Sequence, residues 1–223
     1  MKNKITLDNE IGNIDSSFSY FEKFNLPKES KILDVGCNYG SLIYNIFLRG
    51  YKDVYGIDVS EPSITKGKKN YKQISNSLSA YDGKRIPFED STFDIILMFD
   101  VIEHIPDIHR FLAEEINRVL KQGGIFIFQT PNKYTNIPWE MYQTRSFTRY
   151  KSYHCSLQTL PSLKKLLDKA GFNEIVLEKH TIITDHNIRT LKNKIGFLAM
   201  PILYTLQNLP MFLTSNFWGY CKK

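Results

Sequence analysis

The run Leu33-Asp34-Val35-Gly36-Cys37-Asn38-Tyr39-Gly40 joins an apolar stretch to a helix-forming one. A turn of that kind is where an α/β sheet opens a ligand crevice at its carboxyl edge. Gly36 and Gly40 let the backbone approach a ligand closely. Asp58 ends the next apolar run, 22 residues beyond Gly36, and an acid in that position can accept both hydroxyls of a ribose. Glycine turn and distal acid together point to an adenosine-type ligand, although a glycine turn by itself also fits a tight connection that binds nothing. The spacing departs from the dinucleotide fingerprint, because position 38 is Asn and Gly40 follows Gly36 by four residues. A dehydrogenase is therefore disfavoured.

Such residues need a scaffold, and hydrophobic periodicity outlines one. Residues 31–35, 54–58, 77–81, 93–98 and 125–129 read as short strands. Between them, 41–48, 61–74 and 107–120 read as helices, the last with an apolar stripe at Ile108, Phe111, Leu112, Ile116 and Val119 and a stop at Gly123-Gly124. Strands alternating with helices predict an α/β fold with a mostly parallel, doubly wound sheet. Phe18, Phe21 and Phe24, three apart, place an N-terminal helix over 14–27. Past Pro131 an aromatic and basic loop runs to Gln158, followed by a helix over 160–170 and a strand over 174–179. The run 195–214 carries no charge for 20 residues, the length of a membrane span. Pro201, Gln207, Asn208 and Pro210 interrupt it, which favours a cap over the cleft or a membrane-surface element. A closing edge strand follows at 216–221. The chain thus divides into an N-terminal helix (1–28), a ligand-binding domain (29–180) and an apolar helical insertion before the last strand (181–223).

Hydrophobic residues at 42% and charged ones at 23% are globular values that exclude a disordered or fibrous chain. Cys37, Cys155 and Cys221 are odd in number and far apart, so neither a disulfide framework nor a paired-cysteine metal site is expected. A reducing, cytoplasmic setting follows, with membrane association through 195–214 as the variant. The first ten residues have a positive end but no apolar run behind it, so a secretory signal is not expected. A net charge of +6 favours anionic partners only weakly, since a solvated lysine surface explains most of it.

Over roughly residues 15 to 180 the sequence resembles the class I S-adenosylmethionine-dependent methyltransferases. Leu-Asp-Val-Gly-Cys-Asn-Tyr-Gly is similar to that family's glycine loop, and Gly56-Ile-Asp-Val-Ser60 to its ribose-binding strand end. Asp82-Gly83-Lys-Arg-Ile-Pro-Phe88 resembles its adenine-binding segment. Ser91-Thr-Phe-Asp-Ile-Ile and Asp100-Val-Ile-Glu-His-Ile-Pro-Asp107 resemble its fourth strand and following loop, and Leu120-Lys-Gln-Gly-Gly-Ile its fifth-strand approach. The resemblance implies a seven-stranded Rossmann-like sheet and S-adenosylmethionine as cofactor. It sets Asp34 and Gly36 against the methionine moiety, Asp58 at the ribose hydroxyls, Asp82 at the adenine amino group and Phe99 on the pocket wall, with Asn38, Gly40, Val59 and Gly83 also among the cofactor-binding residues. Asn38 stands where the family has its middle glycine; Asn tolerates left-handed backbone better than most residues.

Asp100-x-x-Glu103-His104 is similar to the branch containing the O-methyltransferases of ubiquinone biosynthesis, and Thr130-Pro131-Asn132 to the same branch and its glycan- and lipid-modifying relatives. The Asn-Pro-Pro-Tyr motif of base methylases is absent from 99–102. The acceptor expected is a small molecule, glycan or lipid-linked compound rather than nucleic acid. With an activated methyl on the cofactor, what remains is to orient and deprotonate a hydroxyl. His104 is the first choice as general base, with a loop-bonding role as the plain alternative, and His154 is the second choice. Asp100, Glu103 and His104 could instead gather Mg²⁺, or simply be charges preceding a helix. Tyr142, Arg145, Phe147, Arg149 and Tyr150 offer a short stripe for RNA, one alternative; a cofactor-binding protein without turnover is the other.

Overall fold

The continuous apolar runs Ile32–Val35 (β1), Val54–Asp58 (β2), Leu78–Ala80 (β3) and Phe93–Phe99 (β4) form adjacent parallel strands in the computed structural model. Both faces of such strands are covered, which is why they alternate so little with polar residues. With Leu120–Pro131 (β5), Asn173–Glu178 (β6) and Asn216–Lys222 (β7) they make a seven-stranded sheet in the order β3-β2-β1-β4-β5-β7-β6. Only β7 runs against its neighbours. The doubly wound, mostly parallel architecture expected from the sequence is therefore present. The structure describes residues 14–180, 182–183 and 185–223; the first 13 residues of the segment assigned to an N-terminal helix lie outside them.

Successive side chains of a strand face opposite sides, and β4 and β5 split the core accordingly. Ile96, Met98, Phe126 and Phe128 join one apolar layer under a helical stretch over 108–119 and the helix Leu160–Lys169; Ile95, Leu97 and Ile127 join the other. That second layer is closed by Ile14–Glu22 (α1) and Ser41–Leu48 (α2), and Glu61–Asn70 (α3) packs at its edge. Tyr20 and Phe21 are the fully buried residues of α1, with Phe18 and Phe24 only partly covered. The Tyr20 hydroxyl donates to Glu178 at 2.7 Å, tying α1 to the end of β6.

Three expectations change. The helix read over 61–74 stops at Asn70 and gives way to a 3-10 stretch, Lys72–Ser77. Gly123 and Gly124 do not end a helix but sit inside β5, where the register jumps from Phe93 opposite Leu120 to Ile95 opposite Ile125; Gly123, with φ +75°, supplies the bulge. The supposed loop after Pro131 begins as a helix, Lys133–Thr144, numbered α5 after the 108–119 helix (α4). The Asn132 side chain caps it by accepting the Tyr134 N–H. It buries none of its side chains and contains Pro138, so no apolar period marks it in the sequence.

Leu160–Lys169 is α6. Between β6 and β7 the apolar insertion folds as Asp185–Ile195 (α7), a turn Gly196–Leu198, Ala199–Gln207 (α8) and a turn Met211–Leu213. Lys179 holds it down by donating to the Gln207 and Leu209 carbonyls. Among the described residues no helix is long and apolar enough to cross a membrane.

Gly67 of α3 lies so close to the glycine loop that a Cβ there would come within 2.2 Å of the Tyr39 carbonyl oxygen. Gly67→Ala is expected to destabilise the protein by about 1–3 kcal/mol through overpacking, whereas Lys69→Ala on the exposed side of α3 should stay within about 0.5 kcal/mol. Urea unfolding of the two variants checks both values.

Candidate active site

The strand order reverses between β1 and β4, so the chain leaves their carboxyl ends in opposite directions and a crevice opens between them. A cavity of about 820 Å³ fills it. Gly36, at φ +81°, turns the chain out of β1 so close to Val101 that a Cβ would meet a Val101 methyl at 2.3 Å. Gly36 and Cys37 donate their N–H groups to the Ile57 carbonyl at 2.8 and 3.0 Å. Asn38 takes φ 50°, a left-handed conformation that Asn enters more readily than most residues, and donates its backbone N–H to Asp58 Oδ2 at 2.8 Å. Asp58 Oδ1 accepts the Ser60 N–H at 2.8 Å. Two peptide donors thus fix the carboxylate while its remaining lone pairs stay free for a ligand hydroxyl.

Asp34 on β1 is 4% exposed. Burial, and secondly the Asp58 charge, push its carboxyl up to about 8. Val59, Gly83 and Phe99 complete the walls at this end, together with Tyr81 and, from α1, Ile14 and Ser17. Asp34, Asp58, Asp100 and Glu103 all line the cavity, and among the described residues no lysine or arginine does. In a chain with net charge +6, the cleft thus gathers four acidic side chains and no lysine or arginine among the described residues.

The other end is built on the turn Ile102–His104 after β4. Asp100 stands at φ 55°, an uncommon conformation for a residue with a side chain, held by its N–H donating to both the backbone and side-chain oxygens of Gln129. Its carboxylate opens into the cleft, yet the surrounding protein raises its affinity for a proton. Glu103 is 2% exposed. Burial and then the neighbouring Asp100 push it up to about 8, although Thr130 donates a hydrogen bond to its Oε2 at 3.0 Å. His104 Nδ1 lies 2.7 Å from the Tyr153 carbonyl oxygen. An imidazole donates to a carbonyl, so Nδ1 carries the hydrogen and neutral His104 keeps its lone pair on Nε2, 3.8 Å from Glu103 Oε1.

The rings of His104 and His154 are 4.9 Å apart. Desolvation, followed by the His104 charge, lowers the proton affinity of His154, whose Nδ1 is 3.5 Å from Glu140 of α5. The Tyr153 hydroxyl donates to the same glutamate. Sequence distance hid this partnership: Glu140 comes from the helix read as a loop.

Residues 13–177 match a family described as Methyltransferase domain. The chain belongs to that family. This methyltransferase domain is 30% identical to a sterol 4-C-methyltransferase of Caenorhabditis elegans over 155 residues, 66% of the chain and 46% of the relative. It is 29% identical to a demethylmenaquinone methyltransferase of Staphylococcus saprophyticus over 185 residues, 72% of the chain and 77% of the relative. The chain thus spans about half the length of some curated relatives. Among solved structures, an S-adenosylmethionine-dependent methyltransferase from Mesorhizobium loti superposes with a TM-score of 0.68 at 17% identity, covering 95% of this chain and all of the other. The Haemonchus contortus phosphoethanolamine N-methyltransferase 2, solved with S-adenosylmethionine, gives 0.65 at 18% identity, covering 94% and 52%. These two show a shared class I fold.

Within the methyltransferase domain, Asp34, Gly36, Asn38, Asp58, Val59, Gly83 and Phe99 reach the cavity wall, as do both histidines. Gly40 and Asp82 do not. Gly40, at φ +83°, starts α2 beside Leu78, where a Cβ would come within 2.7 Å of a methyl. Asp82 is exposed at the rim and its Oδ1 accepts the Lys84 and Arg85 N–H groups. Among the described residues, the group whose ligand atoms lie within 4.8 Å of one another is Glu103, His104 and His154, with His154 in place of the expected Asp100. One carboxylate and two imidazoles do not fit Mg²⁺, which takes oxygen ligands.

Asp58→Ala is expected to weaken S-adenosylmethionine binding more than about tenfold, since charged hydrogen bonds to hydroxyls contribute ~1.5–3 kcal/mol; an unchanged calorimetric titration would remove Asp58 from the cofactor site. A second expectation follows from Asp34 and Glu103, whose carboxyls hold their protons up to about pH 8 when folded but release them near pH 4 when unfolded. Their stabilising effect is complete below the unfolded value and is lost as pH rises through the folded one. The ligand-free protein should therefore melt at progressively lower temperature as pH rises toward about 8 and level off above it, the interval from about pH 7 to 8 lying above the titration of His154 and His180, whose values are lowered. Glu103→Gln should flatten that slope.

Proposed function

We propose that this chain transfers a methyl group from S-adenosylmethionine to a hydroxyl of a small, glycan or lipid-linked acceptor. The observation that carries the reading is the acidic lining of the cleft: four carboxyl groups without a lysine or arginine among the described wall residues suit a ligand bearing a positive centre, whose arrival favours their ionised forms, and offer nothing to pair with an anionic backbone. That lining disfavours the RNA alternative, although Tyr142 and Phe147 are largely exposed. A bound S-adenosylmethionine supplies an activated methyl on a sulfonium.

Asp58 would hold the ribose hydroxyls, and the close packing of Gly36 on Val101 leaves the loop backbone bare for the methionine portion. Asp34 would face the positive centre, whose arrival favours the ionised carboxylate. His104 Nε2 would accept the acceptor's proton, its ring fixed by the Nδ1–H bond to the Tyr153 carbonyl. The imidazolium formed there would be stabilised by Asp100 and would draw the otherwise protonated Glu103 toward its ionised form across a poorly solvated cleft. His154 lies behind His104 and, kept neutral by burial, limits the positive charge at that end. His104→Ala should retain cofactor affinity and lose turnover by about 100-fold or more, the scale of general-base removal. Labelled S-adenosylmethionine offered to lipid, glycan and RNA fractions of an extract tests the acceptor class. Incorporation into RNA alone, or tight binding with no incorporation, would overturn the proposal.

A second reading rests on the grouping of Glu103, His104 and His154. Its mixed nitrogen and oxygen donors suit a divalent transition ion such as Zn²⁺ or Mn²⁺, which would orient an acceptor hydroxyl and lower its pKa. Dialysis against a chelator separates the two: activity and melting temperature both unchanged favour the imidazole base, while loss of both with recovery on adding Zn²⁺ or Mn²⁺ favours the ion.

A further inference from the structure

The helix α8 is apolar on the wrong side. Ala199 and Leu203, one turn apart, face inward and are buried. A helix resting on a soluble domain then presents polar residues outward, yet the outward positions here include Met200, Ile202 and Tyr204. Phe197, in the preceding turn, is 87% exposed, and Leu198 beside it and Phe212 in the turn after α8 are also exposed. Scattered apolar side chains are ordinary on a surface, but a contiguous set on one insertion marks an interaction site.

Charge says what the partner is. From 186 to 223 the sequence has no aspartate or glutamate and five basic residues. Arg189, Lys192 and Lys194 lie on α7, exposed, immediately before the apolar turn. Basic residues bordering an exposed apolar face are the composition of an element that lies in the headgroup layer of an anionic bilayer. The helix is too short to span one.

The insertion is also placed beside the cavity. Asn132 follows the wall residue Pro131 and donates its side-chain N–H groups to the Phe212 and Thr214 carbonyls at 2.9 and 2.8 Å. Thr135, next to the wall residue Asn136, donates to the Thr214 carbonyl as well. The turn at the end of the apolar face is thereby fastened beside the cavity wall.

We propose that the face formed by the turn Gly196–Leu198, α8 and the turn Met211–Leu213 docks on an anionic lipid surface, with Arg189, Lys192 and Lys194 on its headgroups. The proposal is independent of turnover. The full chain is to be floated with vesicles of phosphatidylcholine, with and without phosphatidylglycerol, at low and high salt. It should float with the anionic vesicles, least at high salt. Phe197→Ser combined with Tyr204→Ser, and separately Lys192→Glu combined with Lys194→Glu, should each reduce the bound fraction's partition constant at least about tenfold. All four positions are exposed, so melting temperature and S-adenosylmethionine affinity should match the parent and confirm folding. Three results would overturn the inference: a parent chain that stays in the dense fraction, variants that float as well as the parent, or a parent dimer in size-exclusion chromatography that the Phe197→Ser, Tyr204→Ser variant dissolves. The last would assign the face to a second copy of the chain.

Discussion

Four carboxylates face one cavity with no lysine or arginine among its described walls to offset them, and much of the local architecture reads as the means of tolerating that. Ionised groups gathered in a weakly solvated space repel each other and lose hydration. The protein answers differently at each. Asp58 is given two peptide N–H donors, which is why the loop after β1 must fold back over β2 and why Asn38 must turn left-handed. Asp34 and Glu103, without such donors in number, are pushed toward the neutral form. Asp100 sits where the cleft opens. The free cleft thereby carries less charge than its four acidic side chains would suggest, with Asp34 and Glu103 retaining their protons and Asp58 held by peptide donors.

The geometry at His104 follows from the same constraint. Glu103 is buried beneath the ring, and the chain from Tyr153 to Ser156 is drawn over it: the Glu103 carbonyl accepts the Ser156 N–H at 2.9 Å, while the Tyr153 carbonyl takes His104 Nδ1. A segment 49 residues downstream thus decides which nitrogen of His104 is basic. His154 is carried into place by the same segment, so the two histidines come together through backbone bonds and not through their own attraction.

This explains what was legible in the sequence. Gly36, Asp58 and the motif around His104 act through rules that are local: a positive φ at the end of a strand, an acid at the next strand end, a turn leaving β4. Each could be placed by counting along the chain. Gly40 has the special backbone that the loop reading expects, and the closeness it permits within the protein is to Leu78. Asp82 likewise spends its Oδ1 on its own turn. What stayed illegible is long-range or lacks a period: Ser17 reaching the cavity from α1, Glu140 reaching His154 from α5, and α5 itself, whose Pro138 and lack of any buried side chain erase the apolar stripe that announces a helix.

Topology makes the position of the insertion a consequence rather than a coincidence. β6 runs in the same direction as β5, so its end at Glu178 lies at the carboxyl edge of the sheet, opposite Trp218 of β7. β7 runs the other way, so its beginning lies at that same edge, with Asn216 opposite Pro131 and Phe217 opposite Thr130. Any chain joining β6 to β7 must leave and return at the rim where β1, β2 and β4 open the cavity. A two-residue hairpin would have sufficed. Extending it into two helices adds surface beside the cavity, none of whose described wall residues comes from 182–215, without disturbing a strand, and Lys179 anchors the far end through carbonyls of residues 207 and 209. The geometry of a parallel sheet with one reversed strand therefore separates two tasks: the strand ends fix the acidic cleft, and the connection between the last strands can vary in surface without moving them.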